Sequence, residues 1–290
     1  MLGFKRPKFN LECGQNKFCL GSETKIMGVL NVTPDSFSDG GFFLKPEAAE
    51  SRALLLENQG AHILDIGGES SRPGAQSISA KEEIARISPV LKRLVGKIKI
   101  PISVDTTKDE VGQAALDLGA SLINDITALK NNRRLAKRIA RSGAGIVLMH
   151  MKGNPRTMQN KPVYGNVVKE ISESLKRSAE MAMDAGISKS SIILDPGFGF
   201  GKTAEQNMEM LENLSFFLKL KFPVMAGLSR KSFIGKVVNA PVADRLYGSL
   251  AAGAVAVLQG AHILRVHDVL AHRQMLSFLD QTLADKKRKS

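Results

Sequence analysis

The sequence predicts a single α/β domain, a (β/α)8 or TIM barrel with its active site at the C-terminal ends of the strands. Three observations carry that expectation. Short, apolar, β-branched runs alternate with helical stretches eight times, at spacings of roughly 30–45 residues that suit parallel βαβ units. Eight is the number that closes a barrel, and 290 residues suit a fold of typically ~250 residues plus loops. The runs also end in polar residues, so the chemistry is spread over the whole set of units. An open doubly wound sheet would concentrate it at one switch point, and no Gly-rich dinucleotide fingerprint follows the first run.

Residues 1–24 hold two short runs around Gly14 and Gly21, read as a hairpin capping one end of the core. The barrel proper spans 25–283, and 284–290 is a basic tail. The first strand, Lys25–Leu30, ends at Asn31 and opens into a turn-rich loop reaching Phe43. Pro46 and Gly60 bracket the first helix. Strand Ala61–Ile66 is followed by the loop Gly67–Ala75, then a helix with a Ser79/Glu82 capping box that Pro89 kinks or ends. Strand Ile100–Val104 ends at Asp105, with Thr106 and Asp109 capping the next helix, which Gly119 closes. Strand Ser121–Ile123 ends in Asn124-Asp125 before a basic helix from Asn132 to Arg141. Strand Gly145–Met149 ends in His150, and a long helix covers Val167–Ala185. Ile192–Leu194 ends in Asp195 and a Pro/Gly/Phe loop, followed by a helix over Ala204–Leu220. Strand Pro223–Gly227 leads into Leu228–Ser232, a short helical segment and an Ala-rich helix over Ala243–Gly260. Strand Ala261–Leu264 runs into Arg265-Val266-His267-Asp268 and a final helix.

Composition narrows the function. The net charge is +13, but aromatic content is 5% with no Trp, and no nucleic-acid-binding motif is present, so an anionic small substrate accounts for the charge better than RNA or DNA. No apolar run approaches the roughly 20 residues that span a bilayer. The N-terminus lacks the apolar segment of a signal peptide, so a cytoplasmic location is expected. Cys13 and Cys19 are the only cysteines, and their context suits reduced thiols rather than zinc or a disulfide framework.

Read for chemistry, the strand ends form two sets. Asp105, Asn124 and Asp195 with Lys231 combine two acids and an amide, which suits a flat heterocycle with an amidine-like edge. Asn31, Arg72, Arg265 and His267 form a cationic or oxygen-donating set: arginine forks match phosphate oxygens, and an amide oxygen can ligate Mg²⁺. A lone Asp at a strand end is often only a turn former or helix cap; convergence on one face argues for a site. The role of His150 stays open.

Several stretches carry a family resemblance: Met27–Gly41 (MGVLNVTPDSFSDGG), Gly67–Ala75 (GGESSRPGA), Ile102–Thr106 (ISVDT), Ile123–Asp125 (IND), Leu148–Gln159 (LMHMKGNPRTMQ), Asp195–Lys202 (DPGFGFGK), Gly227–Gly235 (GLSRKSFIG) and Arg265–Val269 (RVHDV). In order and across the barrel, they resemble the dihydropteroate synthases. The resemblance implies condensation of 6-hydroxymethyl-7,8-dihydropterin pyrophosphate with p-aminobenzoate, releasing pyrophosphate. It implies that Asp105, Asn124, Asp195 and Lys231 hold the pterin, and that Asn31, Arg72, Arg265 and His267 hold the diphosphate, with Mg²⁺ at Asn31. Phe37, Ser71, Pro73, Phe200 and Ser232 would border the aminobenzoate pocket. Asp105, Asp195, Lys231, Arg265 and His267 would carry catalysis, without a covalent enzyme intermediate. The Gly/Ser-rich first two loops are expected to act as mobile lids, and a homodimer is expected. The rivals are a methyltetrahydrofolate–corrinoid methyltransferase and a non-catalytic pterin-binding protein. The first has no use for the cationic set, and the second would show a broken ligand set.

Overall fold

The computed structural model describes residues 6–33, 45–72, 74–130, 132–159 and 162–283. A two-stranded antiparallel hairpin, β1 (Phe9–Cys13) and β2 (Asn16–Leu20), turns at Gly14 with φ +59°. Eight parallel strands follow: β3 (Lys25–Asn31), β4 (Ile63–Gly67), β5 (Ile102–Asp105), β6 (Leu122–Asp125), β7 (Gly145–Met149), β8 (Ile192–Asp195), β9 (Met225–Ala226) and β10 (Ile263–Val266). They run in the order β8-β7-β6-β5-β4-β3-β10-β9. A bridge between Leu194 and Val224, with Leu194 N–H donating to Pro223 O at 2.9 Å, joins β8 to β9 and closes the ring. Closure leaves no bare sheet edge. The seventh barrel strand has only two ladder residues, and Pro223, which cannot donate, stands just before it and contributes its carbonyl to the closure.

The helices cover the outside: α1 (Pro46–Asn58), α2 (Ala80–Leu94), α3 (Asp109–Asp117), α4 (Arg133–Ser142), α5 (Val167–Asp184), α6 (Ala204–Glu212), α7 (Ser232–Val238), α8 (Leu246–Leu258) and α9 (Val269–Leu283). Strand residues such as Ile26, Leu64, Val104, Ile123, Ile146, Leu194 and Leu264 face this layer and pack with the helices in the main core. Their alternate neighbours face inward.

Several local expectations need correction. Pro89 neither ends nor visibly interrupts α2, which runs on to Leu94. Ser79 accepts from Glu82 N–H at 3.1 Å, but Glu82 turns to Arg86 instead of completing the capping box. Thr106 does not cap α3: its Oγ1 accepts from Lys108 N–H at 3.2 Å, while Asp109 pairs with Arg138. The stretch Ala204–Leu220 is two pieces, α6 and a 3-10 segment over Leu214–Leu220, separated by Asn213. The box at this helix is the Thr203–Gln206 pair, formed in both directions. The Ala-rich stretch likewise splits, with a 3-10 turn at Val242–Asp244 before α8.

Candidate active site

Every barrel strand delivers its last inward residues to one end. A pocket there, with about 300 Å³ of open space, is lined by Ser71, Asp105, Asn124, Ile126, Met149, Asp195, Phe198, Phe200, Gly227, Lys231 and Arg265. The structure thus brings together Asp105, Asn124, Asp195 and Lys231 with Ser71, Phe200 and Arg265 from the other expected groups. Ile126, Met149, Phe198 and Gly227 join them as apolar walls and floor.

The pocket is rich in acceptors. Asn124 donates from Nδ2 to Asp65 Oδ2 at 3.1 Å, which turns its Oδ1 away; that oxygen is buried without a partner. Asp195, 3% exposed, accepts Gly197 N–H at 2.7 Å on one oxygen only. Burial raises the Asp195 carboxyl above the ordinary range, with that backbone bond and Lys231 pulling the other way. Burial pushes Asp105 up to about 7 against the attraction of Arg265. Lys231 is pushed down to about 8 by burial and by the Arg265 charge, and its Nζ lies 4.1 Å from the Phe200 ring centroid. A ligand presenting several N–H groups on one edge and a flat face would satisfy these groups together.

Asp65 is the residue the sequence reading missed. It is 0% exposed and sits two residues before the end of β4, a strand end otherwise read as a glycine loop. Arg265 donates to it from Nε at 2.6 Å and to Asp105 from Nη2 at 2.9 Å. The two residue sets are therefore not separate clusters, because Arg265, expected with the diphosphate group, is locked into the acids of the other. The signal was available: a carboxylate at an inward position of a barrel strand needs a cation, and Arg265 occupies the inward register of the last strand.

His267, of the cationic or oxygen-donating set, is held by a hydrogen bond. Its Nδ1 lies 3.1 Å from Ser229 Oγ, and burial, with Arg265 and Lys231 nearby, lowers its pKa to about 3. A pKa lowered this far favours the uncharged ring, which offers a hydrogen bond rather than a charge. Arg230, not Arg265, pairs with Asp268, at 2.6 Å. Asn31 ends β3 with its Oδ1 at the open face of Gly67, where an added Cβ would lie 3.4 Å away. Arg72 is exposed in the second loop, whose Gly74 N–H reaches Pro155 O at 3.3 Å. Ser232 opens α7 and is exposed beside the pocket rather than lining it. Phe37 and Pro73, with most of the first loop, lie outside the described residues.

Known proteins share this architecture. Residues 27–267 match the family described as pterin binding enzyme. A dihydropteroate synthase from Synechocystis is 44% identical over 271 residues, 93% of this chain and 94% of its own. A Yersinia pestis dihydropteroate synthase crystallised with a sulfonamide drug superposes with TM-score 0.90 at 39% identity, covering 94% of this chain and 99% of its own. A Xanthomonas albilineans dihydropteroate synthase with 4-aminobenzoic acid superposes with TM-score 0.89 at 42% identity, covering 96% and 99%. This chain belongs to the pterin-binding enzyme family, among the dihydropteroate synthases.

Proposed function

We propose that the chain condenses 6-hydroxymethyl-7,8-dihydropterin pyrophosphate with p-aminobenzoate, yielding 7,8-dihydropteroate and pyrophosphate for folate biosynthesis. The observation that carries the reading is the buried acceptor cluster of Asp105, Asp195 and the unpartnered Asn124 Oδ1, which matches the N–H-bearing edge of a pterin. Phe200 and Lys231 supply a flat wall and a donor beside it. The corrinoid methyltransferase alternative is not favoured, since the matching relatives are dihydropteroate synthases over almost the whole chain.

Catalysis follows from where charge develops. Loss of diphosphate leaves a cationic carbon conjugated to the ring, and ionised Asp105 and Asp195 favour that cation. Arg265, anchored at 18% exposure between Asp65 and Asp105, balances these acids before the substrate arrives. Diphosphate at Asn31, Arg72 and the neutral His267 receives hydrogen bonds and charge as it departs. The arylamine is held near Ser71, Phe200 and the start of α7 with Ser232, with Phe37 and Pro73 at its border. It needs no activation by a nucleophile–base pair.

Asn31 fits Mg²⁺ as a single protein ligand beside a diphosphate. Among the described residues no cluster of three or more His, Cys, Asp or Glu could form an all-protein cage, and Mg²⁺ commonly takes few protein ligands with substrate phosphates. When bound, it would neutralise developing charge on the diphosphate.

A homodimer in the cytoplasm completes the reading. Tyr247 of α8 and Phe278 of α9 are 81% and 73% exposed, apolar area suited to a second copy, and Cys13 and Cys19 are free thiols. No helix among the described residues is long and apolar enough to cross a membrane. The test is a coupled pyrophosphate-release assay with Mg²⁺. Sustained turnover to dihydropteroate must require both the pterin diphosphate and p-aminobenzoate; equally fast steady release without the arylamine, or none with both, would overturn the reading.

A further inference from the structure

Lys202 ends the Asp195–Lys202 loop and is 2% exposed, and its hydrogen bonds go to backbone carbonyls and a histidine ring, with the Asp195 charge favouring its ammonium against the cost of burial. Its Nζ lies 2.8 Å from Gly197 O, 2.9 Å from Phe200 O, 3.2 Å from His150 Nδ1 and 3.4 Å from His150 O. A buried amine is costly unless it is fully hydrogen-bonded. Here the partners come from two strand ends, His150 after β7 and the turn after β8. As an ammonium it donates to both loop carbonyls and to Nδ1; as an amine it donates to the carbonyls and accepts from Nδ1–H. The knot is satisfied in both forms.

The two segments it joins are in close contact. Gly197 has φ +73°, and a Cβ there would lie 2.0 Å from His150 O; Gly201 has φ +64°, with Lys152 O at 2.4 Å. Only glycine fits both the conformation and the space. The pinned loop carries two pocket groups: Asp195, bonded to Gly197 N–H, and Phe200, whose ring faces Lys231.

We propose that Lys202, with His150 as its second anchor, is a positioning residue that ties the loop after β8 to the end of β7 and so holds Asp195 and Phe200 in place for the pterin. It contacts no substrate. His150 serves as the partner of Nζ and not as a catalytic base, which gives a role to the strand-end residue whose purpose the sequence left open. The inference rests on the pterin reading of the pocket.

The test compares wild type, Lys202→Met, His150→Ala and Leu56→Ala, the last a core residue of α1 at 0% exposure that is not among the pocket's lining residues. Each is titrated with 6-hydroxymethylpterin by calorimetry, below its melting temperature, and assayed for KM and kcat. Lys202→Met leaves buried carbonyls without donors and is expected to weaken pterin binding about tenfold or more, and to raise the KM for p-aminobenzoate. His150→Ala, which keeps the lysine, should weaken pterin binding about threefold, and it decides the question if Lys202→Met does not fold. Leu56→Ala should melt earlier yet bind pterin as wild type does. Unchanged affinity in the folded knot variants, or an equal loss in Leu56→Ala, overturns the inference. A wild-type chain that binds no pterin overturns the functional reading as well, so the two failures are distinguishable.

Discussion

At one end of the barrel the interior holds Met27, Ile63, Leu122, Val147, Ile193, Met225 and Ile263, packed against Leu11, Cys13 and Leu20 of the hairpin. Two residues further along the same strands the inward positions are Val29, Asp65, Asn124, Met149, Asp195, Gly227 and Arg265. The strands and the period of two are shared; only the depth differs. The lower layer is an apolar plug with one inward hydroxyl beside it, the buried Ser103 of β5, while the upper layer leaves Asp65 Oδ1 and Asn124 Oδ1 buried and unpartnered. Unsatisfied acceptors cost stability. Two of these, a carboxylate and an amide oxygen, lie in the upper layer, which teaches that the barrel separates most of what holds it together from what receives a ligand by a single step of the pleat.

The comparison can be broken most forcefully at Arg265. Removing it in Arg265→Ala leaves Asp65 and Asp105 without their counter-charge. Breaking a buried pair in this way costs about 3–5 kcal/mol, so denaturant unfolding should show a loss of this size. Binding of pterin should weaken with and without the diphosphate. An effect confined to the diphosphate-bearing pterin would restore the simpler division in which Arg265 serves only phosphate.

A change of nearly equal size belongs to the lower layer. Ile193, 0% exposed, is two residues before Asp195. Ile193→Ala should cost about 3 kcal/mol of stability through lost burial and a cavity, while pterin affinity of the folded chain stays at the wild-type value. A marked loss of affinity would show that the two layers are not independent.

Asp195→Asn makes the reciprocal change. The side chain keeps its shape but loses its charge and half of its acceptor pair, so pterin binding should weaken by roughly 2 kcal/mol with little change in melting temperature. Near-normal affinity in a calorimetric titration would remove Asp195 from the pocket.

The smallest effect sharpens the comparison through pH. Asp105, pushed up to about 7, is largely protonated at pH 6 and ionised at pH 8, and the carboxylate is the form that accepts from the ligand. Affinity should therefore fall as pH drops, by about tenfold or ~1.4 kcal/mol between pH 8 and 6, with proton release on binding visible in buffers of different ionisation heat. Asp105→Asn should flatten that dependence. A wild-type profile that is already flat would place the working pKa of Asp105 well below 6.

Much of this was legible in the amino-acid sequence, for a physical reason. Strand runs and the residues that end them are local features: Asp105, Asn124 and Asp195 stand where an apolar run stops, and closure of an eight-unit barrel brings such positions to one end. Residue types then indicate acceptors for a heterocycle and oxygens for a metal. Tertiary structure alone decided the pairings. Asp65 is hidden inside an apolar run, and that Arg265, 200 residues away, neutralises it depends on which strands become neighbours on closure. His267 is neutral because burial and two nearby cations raise the cost of its charge, which no spacing along the chain encodes. The same holds for Lys202, whose partners lie on two strand ends. The sequence determined which groups are available at the mouth of the barrel; folding determined their partners and charges, because electrostatic energy depends on distance and burial rather than on order along the chain.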